Sequence, residues 1–371
     1  MKNSSSPSID VLVVGAGAIG CATAYFLARM GTKVLVLDKN GIGSGTSFHA
    51  TGLLGAGSST PLSETAYEAT LELVPRLQEE TGIDVLYQKQ EGLHIALTER
   101  QVEQGKAMAA VPGLAGTKRV FLDGDEARKL EPRLSAKILG AVWQENAAQL
   151  DSYRYTLALA RGAERAGVEF LNRHIVGLVR QGDTVAGVMT PSGAVSADRV
   201  VLATGAWSAE AAEWLGMSVP VRPQKGQSIR LRWSGGPLHY LMRQVGWGHL
   251  IQRGDGFLSA GSTDEDGKGL DTSPTPEALN KIMEHALSIM PCLETAEMVT
   301  QFAGPRPKSV DGLPLMGPVP TMPGAYLNTG HGSSGIFLAA ASGRHVAEMV
   351  VNGASSVLPE APYLPARFVG K

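Results

Sequence analysis

The sequence is poor in cysteine and in any pattern of metal ligands. Its 371 residues include only two cysteines, Cys21 and Cys292, which allow no disulfide framework and no C-x-x-C pair. The eight histidines are scattered and form neither an H-E-x-x-H pattern nor a His/Cys cluster. These absences predict a cytoplasmic protein without a metal site.

An excess of charge of either sign is also missing. The 33 basic and 35 acidic residues give a net charge of −2, so the composition indicates neither a nucleic acid nor an anionic membrane as a partner. A hydrophobic fraction of 43% with 18% charged residues is typical of a globular protein. The length allows one large domain or two of medium size, and no internal repeat is visible.

One uncharged stretch, residues 11–28, imitates a signal peptide or a membrane span. No basic segment lies directly ahead of it, and no small-residue cleavage site follows it. Three glycines interrupt it and a second strand pattern follows at once, which fits neither a signal peptide nor a spanning helix. The sequence therefore predicts no transmembrane segment.

The same stretch has the order of a dinucleotide-binding unit. Residues 11–14 are apolar and mostly β-branched, as in a strand buried on both faces. Gly15, Gly17 and Gly20 follow as G-x-G-x-x-G, which permits a tight turn, close approach of a pyrophosphate and close helix–strand packing. Asp38 ends the next strand pattern, about 20 residues further on, where an acid can bind an adenosine ribose.

Two later segments extend this prediction. Residues 39–57, KNGIGSGTSFHATGLLGAG, form a loop of glycines and hydroxyls that can wrap phosphates with backbone N–H groups. Thr204 and Gly205 follow the buried strand pattern RVVLA, at the carboxyl end where open α/β sheets bind ligands. Elements of α/β character thus occur at both ends and in the middle of the chain, with β-rich segments between them, which predicts two interleaved domains.

Over nearly its whole length the chain resembles the D-amino-acid oxidase superfamily of flavoproteins, nearest its glycine oxidase and sarcosine/dimethylglycine dehydrogenase branch. The resemblance rests on five stretches in order: VVGAGAIGCATAYFLARMG with Asp38; GTSFHATGLLGAG; VVLATGAWS; GHLIQRGDGFLSAGSTDED with AGPRPKSVDGLPLMG; and LNTGHGSSGIFLAAASG. Together these stretches are specific for the family and much less specific for a substrate.

The resemblance implies an α/β fold, with a Rossmann-type FAD-binding domain interleaved with an α+β substrate domain on a mixed, largely antiparallel sheet. The FAD-binding domain is expected to comprise residues 1–83, 147–216 and 318–371, and the substrate domain residues 84–146 and 217–317. The proline-rich segment PRPKSVDGLPLMGPVP is expected to be an irregular connection.

Carried over by position, the resemblance also implies the residues that contact FAD. The expected set is Gly15, Gly17, Ala18, Ile19, Gly20, Asp38, Lys39, Thr46, Ser47, His49, Thr51, Gly52, Leu53, Ile175, Thr204, Gly205, His331, Gly332, Ser333, Ser334, Gly335 and Ile336. A glycine loop that opens a helix at Gly335 makes physical sense here, because backbone N–H groups and a positive dipole end favour negative charge on the flavin.

The family's reaction is removal of a hydride from the carbon next to an amine, with hydrolysis of the resulting imine. Arg306 matches the family's substrate-carboxylate arginine, and a planar guanidinium suits bidentate carboxylate binding. The substrate implied is a small amino acid: glycine, sarcosine or another N-substituted glycine such as an iminodiacetate-like acid.

Three pocket positions depart from the glycine oxidase pattern. His249 replaces a tyrosine that contacts substrate, and it either holds a second carboxylate as a cation, makes a neutral hydrogen bond, or packs under the sheet. Asp264 stands where that branch has an apolar methionine, and Ser333 where it has an arginine. Together with Leu53 these residues are expected to line the substrate pocket, and the changes favour a larger or more polar substrate than glycine.

His49 raises the question of how FAD is held. The string GTSFHATGL resembles the string in sarcosine and dimethylglycine dehydrogenases whose histidine is linked covalently to the flavin. The alternative is an unlinked histidine that packs on the ring. The family's cysteinyl linkage is absent, because no cysteine lies near residues 304–317.

Two other functional interpretations remain open on the same residues. LNTGHGSSG also resembles D-amino-acid dehydrogenases, and the chain could be the FAD-holding subunit of a sarcosine-oxidase-type complex. The sequence does not distinguish between oxygen and another electron carrier as the electron acceptor. The chain is a candidate homo-oligomer.

Overall fold

A computed structural model describes residues 9–55 and 60–370. The leader MKNSSSPS, expected to fray, and residues 56 and 57 of the predicted phosphate loop lie outside the described residues. The described strands are, in chain order, β1 (Val11–Val14), β2 (Val34–Asp38), β3 (Leu53–Leu54), β4 (Gln88–Ala96), β5 (Arg119–Asp123), β6 (Gly140–Gln149), β7 (Glu169–Asn172), β8 (Gly177–Gln181), β9 (Thr184–Thr190), β10 (Gly193–Ser196), β11 (Arg199–Leu202), β12 (Val221–Arg232), β13 (Tyr240–Gln244), β14 (Trp247–Gln252), β15 (Leu258–Gly261), β16 (Glu297–Ser309), β17 (Leu315–Pro318) and β18 (Ala325–Thr329).

The helices of the described residues complete the element order. They are α1 (Ala18–Arg29), α2 (Thr46–His49), α3 (Pro61–Thr81), α4 (Glu99–Ala109), α5 (Gly124–Leu130), α6 (Ser152–Arg165), α7 (Ala211–Leu215), α8 (Pro276–Ile289) and α9 (Gly335–Asn352). Helix α3 shows how local sequence sets such bounds. Thr60 and Ser63 form a reciprocal capping box, Pro61 occupies the first helical position, and Gly82 ends the helix in a left-handed conformation.

A six-stranded sheet holds the opening motif, in the order β17-β18-β11-β1-β2-β7. Its strands are parallel except for β17, which pairs antiparallel with β18. Helices α1, α6 and α9 pack together and bury one face of the sheet, while a second apolar cluster covers the other face. Coverage of both faces explains why β1 is fully apolar. Because β1, β11 and β18 are parallel, their carboxyl ends meet at one edge of the sheet.

The second large sheet is mixed and largely antiparallel, as predicted. It runs β16-β12-β15-β14-β13-β4-β6-β3, with β5 on β6, and only β13 with β4 is a parallel pair among its described pairings. A separate apolar cluster that includes residues of α8 and α5 covers one of its faces. The predicted fold class, an α/β Rossmann-type unit interleaved with an α+β unit, is confirmed.

The prediction that the proline-rich segment is an irregular connection is wrong. Strand β16 continues through Pro305, Arg306 and Pro307 to Ser309, and residues 315–318 form β17. Strand β16 lies at the edge of its sheet, where β12 is its strand partner among the described residues, and its Lys308 forms an isolated bridge with His331. An edge strand tolerates proline where the missing N–H would have pointed away from the sheet.

The division into two domains stays a prediction. Strands β1, β2, β7, β11 and β18 of the six-stranded sheet come from the segments assigned to the FAD-binding domain. Strand β17, from a segment assigned to the substrate domain, joins this sheet, whereas β3 joins the other one. Both sheets therefore exchange a short strand across the predicted boundaries.

Candidate active site

The glycine turn after β1 is held in shape by Asp38 at the end of β2. Oδ2 of Asp38 accepts the backbone N–H of Ala16 at 2.8 Å, and Oδ1 accepts those of Asn40 and Gly41 at 2.8 and 2.9 Å. An ionised carboxylate has about four acceptor positions. Asp38 therefore orders the turn and keeps capacity to accept a hydroxyl from a bound ligand.

A cavity of about 730 Å³ is lined by residues of both large sheets. Every residue expected to contact cofactor or substrate lines it, with the single exception of Gly20. Gly20 lies against the turn instead, where a Cβ atom would sit 1.8 Å from the Gly15 carbonyl oxygen. This contact gives Gly20 a role in the close packing of α1 on the turn, and its assignment as a cofactor contact stays a prediction.

Helix α2 joins the glycine turn to the second sheet. The Ser47 hydroxyl accepts the backbone N–H of Ala18 at 3.0 Å, and the Thr46 hydroxyl donates to the Pro305 carbonyl oxygen at 2.6 Å. These two bonds connect α1 of one sheet system with β16 of the other. They place α2 along the wall of the cavity, with His49 at its end.

His49 presents a ring nitrogen that the described residues leave unsatisfied. Its Nδ1 atom is buried and has no hydrogen-bond partner among them. The ring packs near Phe302, with centroids 5.8 Å apart, and against the edge of Phe48. Burial lowers the pKa of His49, which favours the neutral imidazole. A neutral ring nitrogen of this kind suits either a polar contact or a covalent bond to a bound cofactor.

Replacing His49 with alanine is expected to weaken FAD retention at least about tenfold, because a bond to a buried polar atom is lost. The dissociation constant is measured by flavin fluorescence during dialysis, with His239→Ala as the matched control on an exposed histidine outside the cavity. Equal FAD retention by both variants would contradict a cofactor contact at His49. Yellow colour in the acid supernatant of the wild type would exclude a covalent link, and yellow protein in the pellet would show one.

The loop after β18 brings the start of α9 to the same cavity. Residues 331–336 line the cavity, and Ser333 and Ser334 are exposed there. His331 is buried and shares a 3.0 Å hydrogen bond with Ser342. Burial lowers its pKa to about 3, so the ring is neutral near pH 7. The positive charge at this end of the cavity therefore comes from the N-terminal N–H groups of α9.

Arg306 lies in the cavity wall on β16. Its Nη1 atom donates to the Thr263 carbonyl oxygen at 2.9 Å and forms an ion pair with the Asp264 carboxylate. The Arg306 side chain is 14% exposed, whereas that of Asp264 is 60% exposed. The guanidinium lies over Gly226, where a Cβ atom would come within 2.2 Å of Nη2. Only glycine at position 226 leaves the guanidinium in this place.

His249 is buried on β14 and shares a 3.1 Å hydrogen bond with Ser259. Burial, reinforced by the neighbouring charges of Arg243, Arg253 and Arg306, lowers the pKa of His249 to about 3. The ring is therefore neutral near pH 7. The hypothesis that His249 holds a second carboxylate as a cation does not fit this environment, and the neutral hydrogen-bonding alternative does.

Sequence reasoning missed Arg243 on β13, which also lines the cavity. Trp247, Gly248 and Gln227 are further lining residues that were not expected. The available signal was weak: charged and aromatic residues alternate through residues 219–263, as in a sheet with one ligand-facing side. Such a pattern indicates a face without saying which of its residues meet in space.

The buried histidines also predict how stability responds to pH. Burial lowers the pKa of His94, His249 and His331 to about 3, from about 6.5 in the unfolded chain. Below pH 6.5 the unfolded chain therefore binds protons that the folded chain does not, so stability falls as pH falls from 6.5 towards 3. We expect the free energy of unfolding to drop by about 1–4 kcal/mol between pH 7.5 and 5.5. Urea titrations at the two pH values measure it, and equal midpoints would contradict it.

Among the described residues, no group of three or more histidine, cysteine, aspartate or glutamate side chains is arranged to hold a metal ion. Within the same residues, no helix has the length and apolar character needed to cross a membrane.

The residues of the cavity fit FAD on three observations. The glycine turn and Asp38 form a cradle in which Gly17 has only the Ser47 hydroxyl near its missing Cβ position. The unsatisfied nitrogen belongs to His49, which lines the same cavity, and the N-terminus of α9 lines it as well. An anionic dinucleotide matches this arrangement, because the cavity offers backbone donors at one end, an acceptor carboxylate nearby and a positive helix terminus.

Comparisons with known proteins agree with this geometry. A glycine oxidase of Pseudomonas aeruginosa is 33% identical over 96% of this chain and 98% of its own length. The crystal structure of a glycine oxidase from Bacillus cereus is 30% identical, covers 94% of this chain and 96% of its own, and superposes with a TM-score of 0.86.

An iminodiacetate oxidase from Chelativorans sp. BNC1 is 24% identical and covers 96% of this chain and 98% of its own length. Its TM-score of 0.86 shows a common fold. The profile of the DAO family, FAD dependent oxidoreductase, matches residues 10–349. The chain therefore belongs to the DAO family of FAD dependent oxidoreductases.

Proposed function

We propose that this protein oxidises a small glycine-type amino acid, either glycine, sarcosine or another N-substituted glycine, at the carbon next to nitrogen. The observation that carries the proposal is Arg306, a guanidinium fixed in the wall of the FAD cavity by Thr263 and Asp264. A carboxylate bound there is held at one end, so that its neighbouring carbon is presented to the cavity.

The chain's own residues hold FAD along the length of the cavity. The glycine turn, Ala18 and Ser47 provide the pyrophosphate end, and Asp38 provides the ribose end. His49 and residues 331–336 line the cavity beyond them. When bound, FAD supplies the hydride acceptor for oxidation of a C–H bond next to an amine.

The substrate is oriented by charge and by neutral hydrogen-bonding groups. Arg306 has five N–H donors, and the pairing with Thr263 and Asp264 occupies only Nη1. The remaining donors are available for a substrate carboxylate. Neutral His249 adds no second positive charge to the pocket. The bond that is oxidised is the C–H bond next to the nitrogen of the unprotonated amine. The imine product is then hydrolysed by water to glyoxylate and an amine.

An anaerobic screen of flavin absorbance tests the proposal. Glycine, sarcosine, iminodiacetate, proline and both enantiomers of alanine are added in turn to the purified yellow protein. We expect bleaching by a glycine-type acid. Bleaching by D-alanine alone would overturn the proposal in favour of a D-amino-acid dehydrogenase, and no bleaching by any of them would favour an FAD-holding subunit of a larger complex.

Repeating the best substrate in air with peroxide detection decides between O2 and another electron carrier. The cytoplasmic location and the homo-oligomer stay predictions.

A further inference from the structure

One face of the large mixed sheet carries both arginines of the cavity. Across the strands, Phe302 pairs with Ser228, Ser228 with Gly261, and Gly261 with His249. Strand β13, which carries Arg243, pairs with β14, which carries His249, and the register between them shifts between Met242 and Gln244. Arg243 is also the largest charged influence on the pKa of His249. Arg243 and His249 therefore lie on neighbouring strands and line the same cavity.

Arg306 stands at the other end of this face. It lies two positions beyond Gly304 on β16, on the same side of the strand as Phe302. Arg306 is therefore on β16 and Arg243 on β13, and three strands lie between them: β12, β15 and β14. Four spacings between strands give a separation of about 19 Å across the sheet, and Arg306 is displaced by a further four residues, about 13 Å, along β16 from Phe302.

The surface between the two arginines includes small residues beside the His249 ring. A Cβ atom on Gly261 would lie 3.2 Å from the His249 ring and 2.9 Å from Ser228 Cβ. Gly226 next to it is covered by the Arg306 guanidinium itself. The Arg306 guanidinium lies over β12. Measured across the sheet, it is therefore about three strand spacings, or ~14 Å, from the backbone of β13. The Arg243 side chain lines the cavity together with His249.

Glycine itself does not fill such an interval, since one carbon separates its carboxylate from its nitrogen. A substrate with a second acid group on the nitrogen substituent reaches further. The neutral state of His249 leaves the two guanidinium groups as the positive charges at the ends of this surface. Burial lowers the pKa of Arg243, and a carboxylate beside it would oppose that effect.

We propose that Arg243 binds a second carboxylate, so that the substrate is a glycine whose nitrogen carries an acidic substituent, of the iminodiacetate class. This inference rests on the proposed function and deepens it. Arg306 holds the carboxylate of the glycine unit, and Arg243 holds the carboxylate of the substituent. The competing role for Arg243 is structural: its Nε donates to the Gly248 carbonyl oxygen at 3.4 Å and supports the turn between β13 and β14.

Binding of unreactive analogues to the FAD-loaded protein separates the two roles. Thiodiacetate carries two carboxylates around a sulfur atom, and methylthioacetate carries one. Dissociation constants are measured by calorimetry for the wild type, R243Q and R243K. We expect the wild type to bind thiodiacetate at least about tenfold more tightly than methylthioacetate, a ratio that corresponds to about one charge-assisted hydrogen bond. R243Q should abolish most of that ratio, and R243K should restore part of it.

Equal binding of the two analogues by the wild type would overturn the inference, and so would a loss in R243Q that affects both analogues equally. If R243Q does not fold, the wild-type ratio and R243K decide. The anaerobic flavin screen keeps the two proposals apart. Bleaching by sarcosine that is as fast as bleaching by iminodiacetate would sink the inference about Arg243 alone, whereas no bleaching by any glycine-type acid would sink the proposed function.

Discussion

Arg306→Ala should lower kcat/KM for a glycine-type acid by about 10²–10³-fold while the protein stays folded and yellow. The loss corresponds to about 3–4 kcal/mol, which is the range for removing two charge-assisted hydrogen bonds to a carboxylate. Steady-state kinetics with the best substrate of the screen measures it. FAD content, from the absorbance ratio of flavin to protein, should remain that of the wild type.

The structure explains why this variant should fold. Removing the guanidinium frees Asp264, but that carboxylate is 60% exposed and is hydrated in the variant. The Thr263 carbonyl oxygen loses one donor. No buried charge is left without a partner, so the large penalty for stranding a charge does not apply.

Arg306→Lys is the matched control, because it keeps the charge and loses the planar fork. We expect it to recover part of the lost kcat/KM. Asp264→Asn tests the pairing from the other side, since it removes the competing carboxylate and leaves Arg306 in place. An unchanged KM for an acid substrate in Arg306→Ala would refute carboxylate binding at this position.

Gly20→Ala should prevent the protein from reaching its normal stability. The added Cβ atom would lie 1.8 Å from the Gly15 carbonyl oxygen, and that oxygen belongs to backbone in the turn beside buried β1. Helix α1 cannot move away freely, because it packs against α6 and α9. We expect a loss of about 4 kcal/mol or more, which lowers Tm by at least about 5 °C for a chain of this size.

Gly17→Ala is the control for this experiment within the same motif. Its Cβ atom meets only the Ser47 hydroxyl, at 3.2 Å, so the side chain can adjust. Because residue 17 lines the cavity, this variant should keep its apo-protein Tm within a few degrees and bind FAD more weakly. Thermal melts with and without added FAD distinguish the two outcomes. Similar apo-protein Tm values for both variants would show that Gly20 is not a packing residue.

The FAD-binding half of the site could be predicted from the sequence, because its residues lie close together along the chain. The strand, the glycine turn, the helix and Asp38 follow one another within residues 11–38, and the hydrogen bonds of Asp38 join neighbours in that same unit. The capped start of α3 and the glycine loop before α9 are local as well. Spacing along the chain therefore carried most of the information about these elements.

The substrate half depended on contacts across strands that are distant in sequence. The proline-rich segment has five prolines and was predicted to be a connection. Its start instead pairs with β12 as an edge strand, which places Arg306 in the wall of the cavity. Arg243 gave no local signal, because its place beside His249 follows from the register of β13 with β14.

The amino-acid sequence by itself determined the family, the α/β framework and the cradle for FAD, since these depend on short-range patterns of glycine, apolar and capping residues. Only the tertiary structure decided which charges share the pocket and which histidines are neutral. Strand register sets the distance between Arg306 and Arg243, and burial lowers the pKa of His249 and His331. The distance between the arginines and the lowered histidine pKa values both arise when segments remote in sequence pack together. Residue spacing along the chain therefore cannot predict them.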